Sequence, residues 1–217
     1  QTFVAELGDI RPRLHPNLDP ALAQVFEAYG DEERATVDRD SRPEPDSRHA
    51  IHVAALAVPY ALREYFGWLD PSLISSYSIL HDILEWHTGD VPTINLSDSG
   101  HGDKLQAEQK ALELFAASFG HTNQKLVALI EGYESLEDDE AEFVKTFDKL
   151  DPGFTHFADH GSVIRKLGID TPELFWRAHH ATSIRMSQYA LGFSHVLEDR
   201  DTRAKLIQEI TWPEQLS

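Results

Sequence analysis

The sequence predicts an all-α protein that folds as a single helical bundle. Apolar residues recur at intervals of three and four in most segments, and glycine or proline ends almost every such segment. No segment shows the convincing alternation of apolar and polar residues that a half-buried strand would have. The chain has 217 residues, enough for one sizeable core and few for two, so one domain is expected.

The first elements are set by proline and glycine. Residues 1–18 have no clear period, and we expect a loop there with at most one short helix. Asp19-Pro20 predicts a helix start, with a capping carboxylate and a proline at the first helical position, and Gly30 ends this helix. The polar residues 31–47 contain two prolines and predict a loop.

Two helices are expected to lead into the middle of the chain. Asp46 or Ser47 can cap the first, which runs to about residue 66 and in which Pro59 predicts a kink or a break. The second is expected over residues 71–86, with a proline near its start and a glycine soon after its end.

The remaining helices are separated by glycines, prolines and polar turns. A stretch rich in glycine and serine, residues 95–102, predicts a loop. The helix expected over residues 139–150 carries its apolar side chains on one face. The other predicted helices cover residues 103–119, 122–133, 154–167, 172–191 and 199–209.

Composition and charge limit the function classes. The formal net charge of −18 excludes broad binding to a nucleic acid polymer, because phosphate neutralisation needs clustered lysine and arginine. No run of about 18 apolar residues is present, so no membrane segment is expected. Cysteine is absent and the first residues lack the basic and apolar regions of a signal peptide, so we expect a cytoplasmic protein.

Residues 81–93 place unusually polar chemistry behind an apolar segment. His81 and Asp82 are adjacent, a carboxylate follows one turn later, and a Gly-Asp-x-Pro corner ends the stretch. Imidazole and carboxylate without thiolate suit Zn, Mn, Fe, Co or Ni better than a structural zinc site. We therefore expect a metal ion here, with further ligands from His49 and Asp148. Taken singly, each of these residues could instead be a histidine satisfied in the core or a solvated carboxylate.

The order of these residues carries a family resemblance. The motifs are Arg42-Pro43-Glu44 before His49, then His81-Asp82-x-x-Glu85-x-x-Thr88-Gly89-Asp90-x-Pro92, then Glu142-Phe143-Val144-Lys145 before Asp148. Over about residues 34–150 the chain resembles the HD-domain metal phosphohydrolases. Within them it is most similar to the bacterial 5′-deoxynucleotidase branch and its phage relatives.

The resemblance implies a catalytic centre with one divalent ion, which could be Mn, Co, Zn, Fe, Ni or Mg. It assigns the acid/base carboxylate to Glu85 and a second active-site aspartate to Asp90. The ion would activate water for attack on phosphorus, and Glu85 or Asp90 would handle the proton. The implied metal ligands are His49, His81, Asp82 and Asp148.

The resemblance also implies residues that hold the substrate. The family places a phosphate-binding arginine about fifteen residues before the first histidine, and Arg34 has that spacing, with a solvated arginine as the ordinary alternative. An acidic residue before the last ligand would be Glu131 or Glu134, although the charged run there also fits a solvent-facing turn. The substrate-binding candidates are Arg34, Arg42, Arg48, Thr88, Glu131 and Glu134.

Three positions depart from the family pattern and concern the substrate. Arg48 stands where an acidic residue usually precedes the first histidine, and Ala35 replaces the tryptophan that helps to select deoxyribose. Ile94-Asn95 occupies the place of a lysine common after the Gly-Asp-x-Pro corner. The hydrolytic centre is therefore better defined by the sequence than the sugar and the base.

The surplus histidines keep other interpretations open. Some HD proteins, including certain di-iron oxygenases, hold a second metal with two more histidines, and His101 and His121 lie in the corresponding interval. A polar capping role is the alternative for both. His52 could be a spare ligand or a neighbour on its helix. The pairs His156/His160 and His179/His180 are expected to be surface imidazoles.

These observations lead to one expected function and three alternatives. We expect a metal-dependent phosphohydrolase that releases phosphate from a deoxynucleoside monophosphate, a small-molecule nucleotide. The alternatives are a dNTP phosphohydrolase with the same site, a dinuclear HD oxygenase and a non-catalytic metal- or nucleotide-binding module. The resemblance also implies a homodimer. Within the domain, residues 1–30 would pack on an HD core of residues 31–151, and residues 152–217 would add C-terminal helices.

Overall fold

The fold is almost entirely helical, as the sequence predicts. The computed structural model describes residues 20–37, 42–63, 66–94 and 96–215, so the expected N-terminal loop lies outside it. The helices are α1 (Pro20–Asp31), α2 (Asp46–Ala61), α3 (Pro71–Leu80), α4 (Glu85–Thr88), α5 (Asp98–Phe119), α6 (Gln124–Ser135), α7 (Asp139–Leu150), α8 (Pro152–Ala158), α9 (Ser162–Lys166), α10 (Pro172–Met186) and α11 (Ser194–Thr211). No helix in the described part of the chain is long and apolar enough to cross a membrane.

The polar segment between α1 and α2 is not only a loop, which corrects the prediction of no strand. It contains a two-stranded antiparallel sheet of β1 (Glu33–Val37) and β2 (Pro43–Pro45). The prolines in β2 mask the strand in the sequence, since proline lacks an N–H and is tolerated only at a sheet edge. Asp46 does not cap α2 either: it is the first helical residue, its side chain is buried, and Pro45 precedes it.

Helix α2 carries a stripe of small residues that permits close packing. His49, Val53, Ala57 and Ala61 are buried at intervals of four residues, so they share one face of the helix. Helix α3 packs against that face. The helix continues through Pro59 to Ala61 instead of breaking there.

Helix α3 ends earlier than predicted, and this end positions two of the expected ligands. It stops at Leu80, and a turn over residues 81–84 joins it to α4. Within the turn, the N–H groups of Ile83 and Glu85 donate to carbonyls three residues earlier, at 3.0 and 2.8 Å. Such bonds tighten the chain relative to an α-helix and change the directions of successive side chains. His81 and Asp82 therefore lie at a helix end and not in mid-helix.

Helix α7 has the predicted boundaries and supplies much of the core. Asp138 caps it by accepting from the Ala141 N–H at 2.7 Å, so part of the acidic run before it is a helix start. Phe143 and Phe147 are fully buried in one hydrophobic cluster with residues of α2 and α3. Truncating either ring to alanine would cost about 3–5 kcal/mol of stability.

The remaining helices differ from prediction mainly at their ends. Helix α5 begins at Asp98 because Ser97 caps it, so His101 is helical and not in a loop. The helix predicted over residues 154–167 is split into α8 and α9 by His160 and Gly161, both of which have a positive φ. Helices α10 and α11 form a further hydrophobic cluster with α9.

Candidate metal centre

Four side chains from two helices and one turn meet at one point. The ligand atoms of His49, His81, Asp82 and Asp148 lie within 4.8 Å of one another. His49 belongs to α2, His81 and Asp82 to the turn after α3, and Asp148 to the end of α7. The residues that the sequence singled out as ligands are thus brought together by the fold.

The separations in this cluster are within a few tenths of an ångström of those between ligands of one ion. His49 Nε2 lies 3.1 Å from Asp148 Oδ1 and 3.8 Å from Asp82 Oδ2. His81 Nε2 lies 3.0 Å from Asp82 Oδ2 and 3.7 Å from Asp148 Oδ1. Nitrogen and oxygen ligands about 2.1 Å from a metal ion stand roughly 3.0–3.5 Å apart.

Hydrogen bonds on the far side of each imidazole orient it toward this point. His49 Nδ1 bonds Asp151 Oδ2 at 2.8 Å, and His81 Nδ1 bonds the Ser78 carbonyl at 2.9 Å. Since a carbonyl only accepts, neutral His81 carries its proton on Nδ1 and leaves Nε2 as an acceptor. That Nε2 is buried without a hydrogen-bond partner beside the Asp82 carboxylate. Two acceptors held so close fit a cation between them.

The electrostatics of the cluster also favour a cation. Burial opposes charge on Asp82 and Asp148, yet His81, when it is protonated, holds the pKa of Asp82 well below the usual value, and Lys149 does the same for Asp148. Burial would lower the pKa of His49, but hydrogen bonds to two aspartates raise it to about 10. The ionised carboxylates that stabilise the proton on His49 would also stabilise a divalent ion.

Arg34 anchors the carboxylate side of the cluster. Its Nη1 donates to Asp82 Oδ2 at 2.7 Å and to Asp46 Oδ1 at 3.1 Å. Burial opposes its charge, but Asp82 and Asp90 raise the pKa of the guanidinium. Burial and the charge of Asp82 raise the pKa of Asp46 to about 6. The arginine is therefore held by two carboxylates, on the strand β1 that the sequence did not predict.

Glu85 and Asp90 lie beside the four ligands. Glu85 Oε1 accepts from Lys104 Nζ at 3.0 Å, and its Oε2 is buried without a hydrogen-bond partner. Burial and the charge of Asp82 raise the pKa of Glu85 to about 9. Asp90 Oδ2 accepts from the Ala35 N–H at 3.1 Å. Gly89, with a φ of +71°, makes the turn that brings Asp90 to this position.

A cavity of about 170 Å³ opens above the cluster and has two distinct walls. The metal-side wall comprises Arg34, Asp82, Glu85, Asp90, Lys104 and Asp148. The C-terminal wall comprises His156, Val163, Phe175, His179, Thr182 and Arg200. Lys145 and Lys149 from α7 and Arg203 from α11 also line the cavity.

Most of the other substrate-binding candidates do not line this cavity, so their role stays a prediction. Thr88 Oγ1 bonds the Leu84 and Gly89 carbonyls, at 3.5 and 3.3 Å, and so serves the turn. Arg42 and Glu131 are exposed and Arg48 is half-buried, all outside the cavity lining.

Glu134 also lies outside the lining but borders it. Burial raises the pKa of Glu134 to about 7, and the charges of Lys145 and Glu108, two lining residues, act on it. Of the six candidates, only Arg34 reaches the cavity directly.

The surplus histidines do not build a second metal site of the expected kind. Among the described residues, two groups have ligand atoms close enough to share an ion, and neither contains His101 or His121. The second group is Asp46, Asp82 and Glu85, into which Arg34 already donates. His52 Nδ1 lies 3.2 Å from Glu44 Oε1, so it is a neighbour in the fold and not a ligand.

Two histidines expected at the surface are in fact buried in the C-terminal wall. His156 is 6% exposed and His179 is 7% exposed, whereas His160 and His180 are exposed as predicted. Spacing alone could not reveal this, because the wall forms only when α8, α10 and α11 fold back over α7.

Sequence reasoning missed several cavity residues that tertiary structure brings in. Asp151 orients His49, although the two residues are 102 positions apart in the sequence. In the sequence, Asp151-Pro152 indicates only a helix boundary. Lys104 reaches Glu85 from α5 and supplies a cation near the corner where the expected lysine is missing. Lys145 and Lys149 lie on either side of Asp148 in α7. This proximity in sequence was the one signal that could have predicted their place in the cavity.

The chain is similar to known proteins both in a family pattern of its sequence and in its fold. A family model described as HD domain matches residues 30–189. No match was found among curated protein sequences. Among solved structures, the fold is similar to that of a predicted metal-dependent phosphohydrolase from Magnetospirillum magnetotacticum MS-1. The TM-score is 0.62 at 23% sequence identity, and the alignment covers 87% of this chain and 90% of that one.

Proposed function

Since this chain belongs to the HD-domain family, we propose that it is a metal-dependent phosphohydrolase. Its proposed substrate is a nucleotide, with deoxynucleoside monophosphates as the first candidates. The observation that carries the proposal is the four-ligand cluster at the floor of a cavity, directly beside a carboxyl group of raised pKa. A cluster that only stabilised the fold would need neither the cavity nor Glu85.

The four ligands and the chemistry of the ion fit phosphate ester hydrolysis. A divalent ion held by His49, His81, Asp82 and Asp148 would lower the pKa of a water molecule and polarise the phosphoryl group. Asp151 and the Ser78 carbonyl fix the two imidazoles so that each offers Nε2. Imidazole and carboxylate ligands suit Mn, Fe, Co, Ni or Zn, with Mg as a further candidate.

Glu85 and Asp90 would divide the proton transfers between them. A pKa of about 9 keeps Glu85 protonated at neutral pH, and its unpartnered Oε2 can give that proton to the leaving oxygen as the P–O bond breaks. Asp90, fixed by the Ala35 N–H, would accept the proton of the attacking water. Lys104 keeps Glu85 Oε1 in place throughout.

Cationic side chains around the ligands would bind the phosphoryl oxygens. Arg34, Lys104 and Lys149 each bond a carboxylate of the metal-side wall and also line the cavity. Lys145 lies over the Tyr133 ring at 5.2 Å from its centroid and faces the same cavity. Such groups stabilise the charge that spreads over the transferring phosphoryl group.

The apolar side of the cavity favours a nucleotide as the substrate. The choice of deoxyribose as its sugar rests on the family resemblance alone. Val163, Phe175 and Ile207 offer an apolar surface that can accommodate a base. The residue after Arg34 is Ala35, so the family's tryptophan that selects deoxyribose has no counterpart here. We therefore place deoxynucleotides first and expect weaker discrimination against ribonucleotides than the resemblance implies.

The test is phosphate release from a panel of substrates by protein stripped of metal and reloaded. Each of Mn, Co, Zn and Mg is added to separate samples with deoxynucleoside mono- and triphosphates, the matching ribonucleotides and phenyl phosphate. We expect metal-dependent release of orthophosphate from the monophosphates. Release of triphosphate or pyrophosphate from dNTPs alone would replace the proposed substrate with a triphosphate.

Metal stoichiometry separates the remaining alternatives. We expect one ion per chain, retained in His101→Ala and lost in Asp82→Ala. Two ions per chain with oxygen consumption would instead identify a dinuclear oxygenase. One ion with no phosphate release from any substrate would identify a binding module.

A further inference from the structure

Two arginines, Arg200 in the C-terminal wall and Arg185 behind it, form no ion pair with a carboxylate of the described residues. Within the described part of the chain, neither Arg185 of α10 nor Arg200 of α11 has a carboxylate oxygen within 4 Å. The two guanidinium groups are close enough that the charge of Arg185 helps to lower the pKa of Arg200, after burial. Asp201 acts in the opposite direction, but its carboxylate bonds His179 at 2.7 Å and its side chain is 58% exposed.

Arg200 uses few of its hydrogen-bond donors within the protein. Its Nη1 donates to Ser183 Oγ at 2.8 Å, and its Nη2 lies 3.5 Å from the His179 carbonyl, a long contact. His179 Nε2 lies 3.4 Å away but cannot accept while it donates to Asp201. A guanidinium has five N–H groups, so Arg200 keeps donors for a ligand.

Arg185 supports the same region from behind. Its Nη2 donates to Thr182 Oγ1 at 3.2 Å, and Thr182 lines the cavity together with Arg200. The hydroxyl that accepts from Arg185 can turn its own proton toward the cavity. Arg200, Thr182 and Arg185 thus form a cluster, which we name the arginine subsite.

The other cavity cations are in a different situation. Arg34, Lys104, Lys149 and Arg203 lie within 4 Å of a carboxylate, which is Asp82, Glu108, Asp148 and Asp199 respectively. Lys145 lies over an aromatic ring and interacts with the charge of Glu134. In a chain of net charge −18, two neighbouring arginines without an ion pair are conspicuous. Both side chains are half-buried, and two like charges at this distance repel each other unless an anion joins them.

We propose that the arginine subsite binds a second anionic group, a phosphate or carboxylate, of the molecule whose phosphate lies at the metal centre. The proposal rests on the proposed function, because it takes the metal centre as the place of the first phosphate. It deepens that function: the preferred substrate carries two separate anionic groups, joined by a part that contacts Phe175 and its apolar neighbours. A planar guanidinium suits both anions because it can donate two parallel hydrogen bonds.

Both ends of the cavity are within reach of one small molecule. The Tyr189 phenol, whose pKa burial raises to about 12, interacts with the charges of Lys149, Asp148 and Arg200. One cavity is lined by Asp148 and Lys149 at the metal centre and by Thr182 and Arg200 of the arginine subsite.

Two matched pairs of substrates test the proposal. The first pair is phenyl phosphate and para-carboxyphenyl phosphate, and the second is deoxyadenosine 5′-monophosphate and deoxyadenosine 3′,5′-bisphosphate. For at least one pair we expect kcat/KM to favour the compound with the second anion by about 10- to 100-fold, mainly through a lower KM. Arg200→Gln should abolish this preference, and Arg185→Gln should reduce it. Which pair shows the preference distinguishes a carboxylate from a phosphate.

Arg203→Gln is the matched control, because it removes a cavity arginine on the same helix that already pairs with Asp199. It should leave the preference within about twofold of the native protein. Equal preference in native protein and Arg200→Gln, for both pairs, would overturn the arginine subsite. If no compound is hydrolysed, the proposed function fails separately. Calorimetric binding of deoxyadenosine 3′,5′-bisphosphate then decides on the subsite, and equal affinity in native protein and Arg200→Gln rejects it.

Discussion

The two walls of the cavity differ in how their charges are balanced. At the metal-side wall and the adjoining Lys149, each of three cations, Arg34, Lys104 and Lys149, bonds a carboxyl group, and carboxyl groups outnumber these cations. On the C-terminal wall, Arg200 faces the cavity and makes hydrogen bonds only to neutral groups. One wall thus needs an additional cation and the other an additional anion. The contrast indicates a site for a metal ion and a polyanionic small molecule together.

The largest expected effect comes from removing a ligand on the metal-side wall. Asp82→Ala should reduce bound metal to background and phosphate release by at least about a thousandfold, because both the ion and its water activation are lost. Metal content by mass spectrometry and orthophosphate release check this. The same change on α11 outside the cavity lining, Asp199→Ala, should keep both properties within a fewfold of the native protein. Full metal occupancy in Asp82→Ala would contradict the ligand assignment.

A smaller effect is expected when the metal-side wall keeps its ion but loses its proton donor. Glu85→Gln should lower kcat by about 10²- to 10³-fold with bound metal unchanged, since the amide cannot protonate the leaving oxygen. Glu108→Gln is the matched control, because Glu108 is the other carboxylate within 4 Å of Lys104. Unchanged kcat in Glu85→Gln would show that another group provides the proton.

A weaker effect should follow from changing the residue that orients a ligand. Asp151→Asn keeps the shape of the side chain but removes the charge that holds His49 Nδ1, so metal affinity should fall by about 10- to 100-fold. Competition with a fluorescent chelator measures this. Asp159→Asn, at the other end of α8, should leave the affinity unchanged. Equal affinities in the two variants would remove the role proposed for Asp151.

The pH dependence of metal binding tests the metal-side wall without changing any residue. His49 has its pKa raised to about 10, so at neutral pH it carries a proton that the metal must displace from Nε2. Affinity should therefore rise by up to about tenfold per pH unit between pH 6 and 9, with close to one proton released per ion. Calorimetry in buffers of different ionisation enthalpy counts the protons. A metal affinity that does not change with pH would show that His49 carries no proton for the metal to displace.

The grouping of the four candidate ligands was predictable because two of them lie in one local motif and the family resemblance supplied the other two. His81, Asp82, Glu85 and Asp90 lie within ten residues, and His49 and Asp148 begin and end the same motif order. The boundaries of α7 were also predicted correctly, since its cap, its apolar face and its length all agree. At these places the local pattern and the tertiary packing require the same residues.

The parts that were missed depend on contacts distant in sequence. The sequence analysis placed the end of α3 too late, because the helical periodicity of the apolar residues continues through the following turn. The hydrogen bonds of that turn join residues three apart instead of four. The strand β1 was hidden by prolines in its partner. Asp151, Lys104 and Arg200 reach the cavity from helices whose packing no spacing rule gives, and each had an ordinary helix or surface pattern around it.

Because most cavity cations are paired with the chain's own carboxylates, they attract an anionic substrate only at short range. Paired charges largely cancel at a distance, whereas the net charge of −18 extends beyond the surface. A polyanionic molecule therefore approaches against a repulsive field and is attracted only at the mouth of the cavity. Added salt screens that repulsion over about 10 Å at 0.1 M, so the association rate should increase with ionic strength. This is the reverse of enzymes that steer their substrates electrostatically.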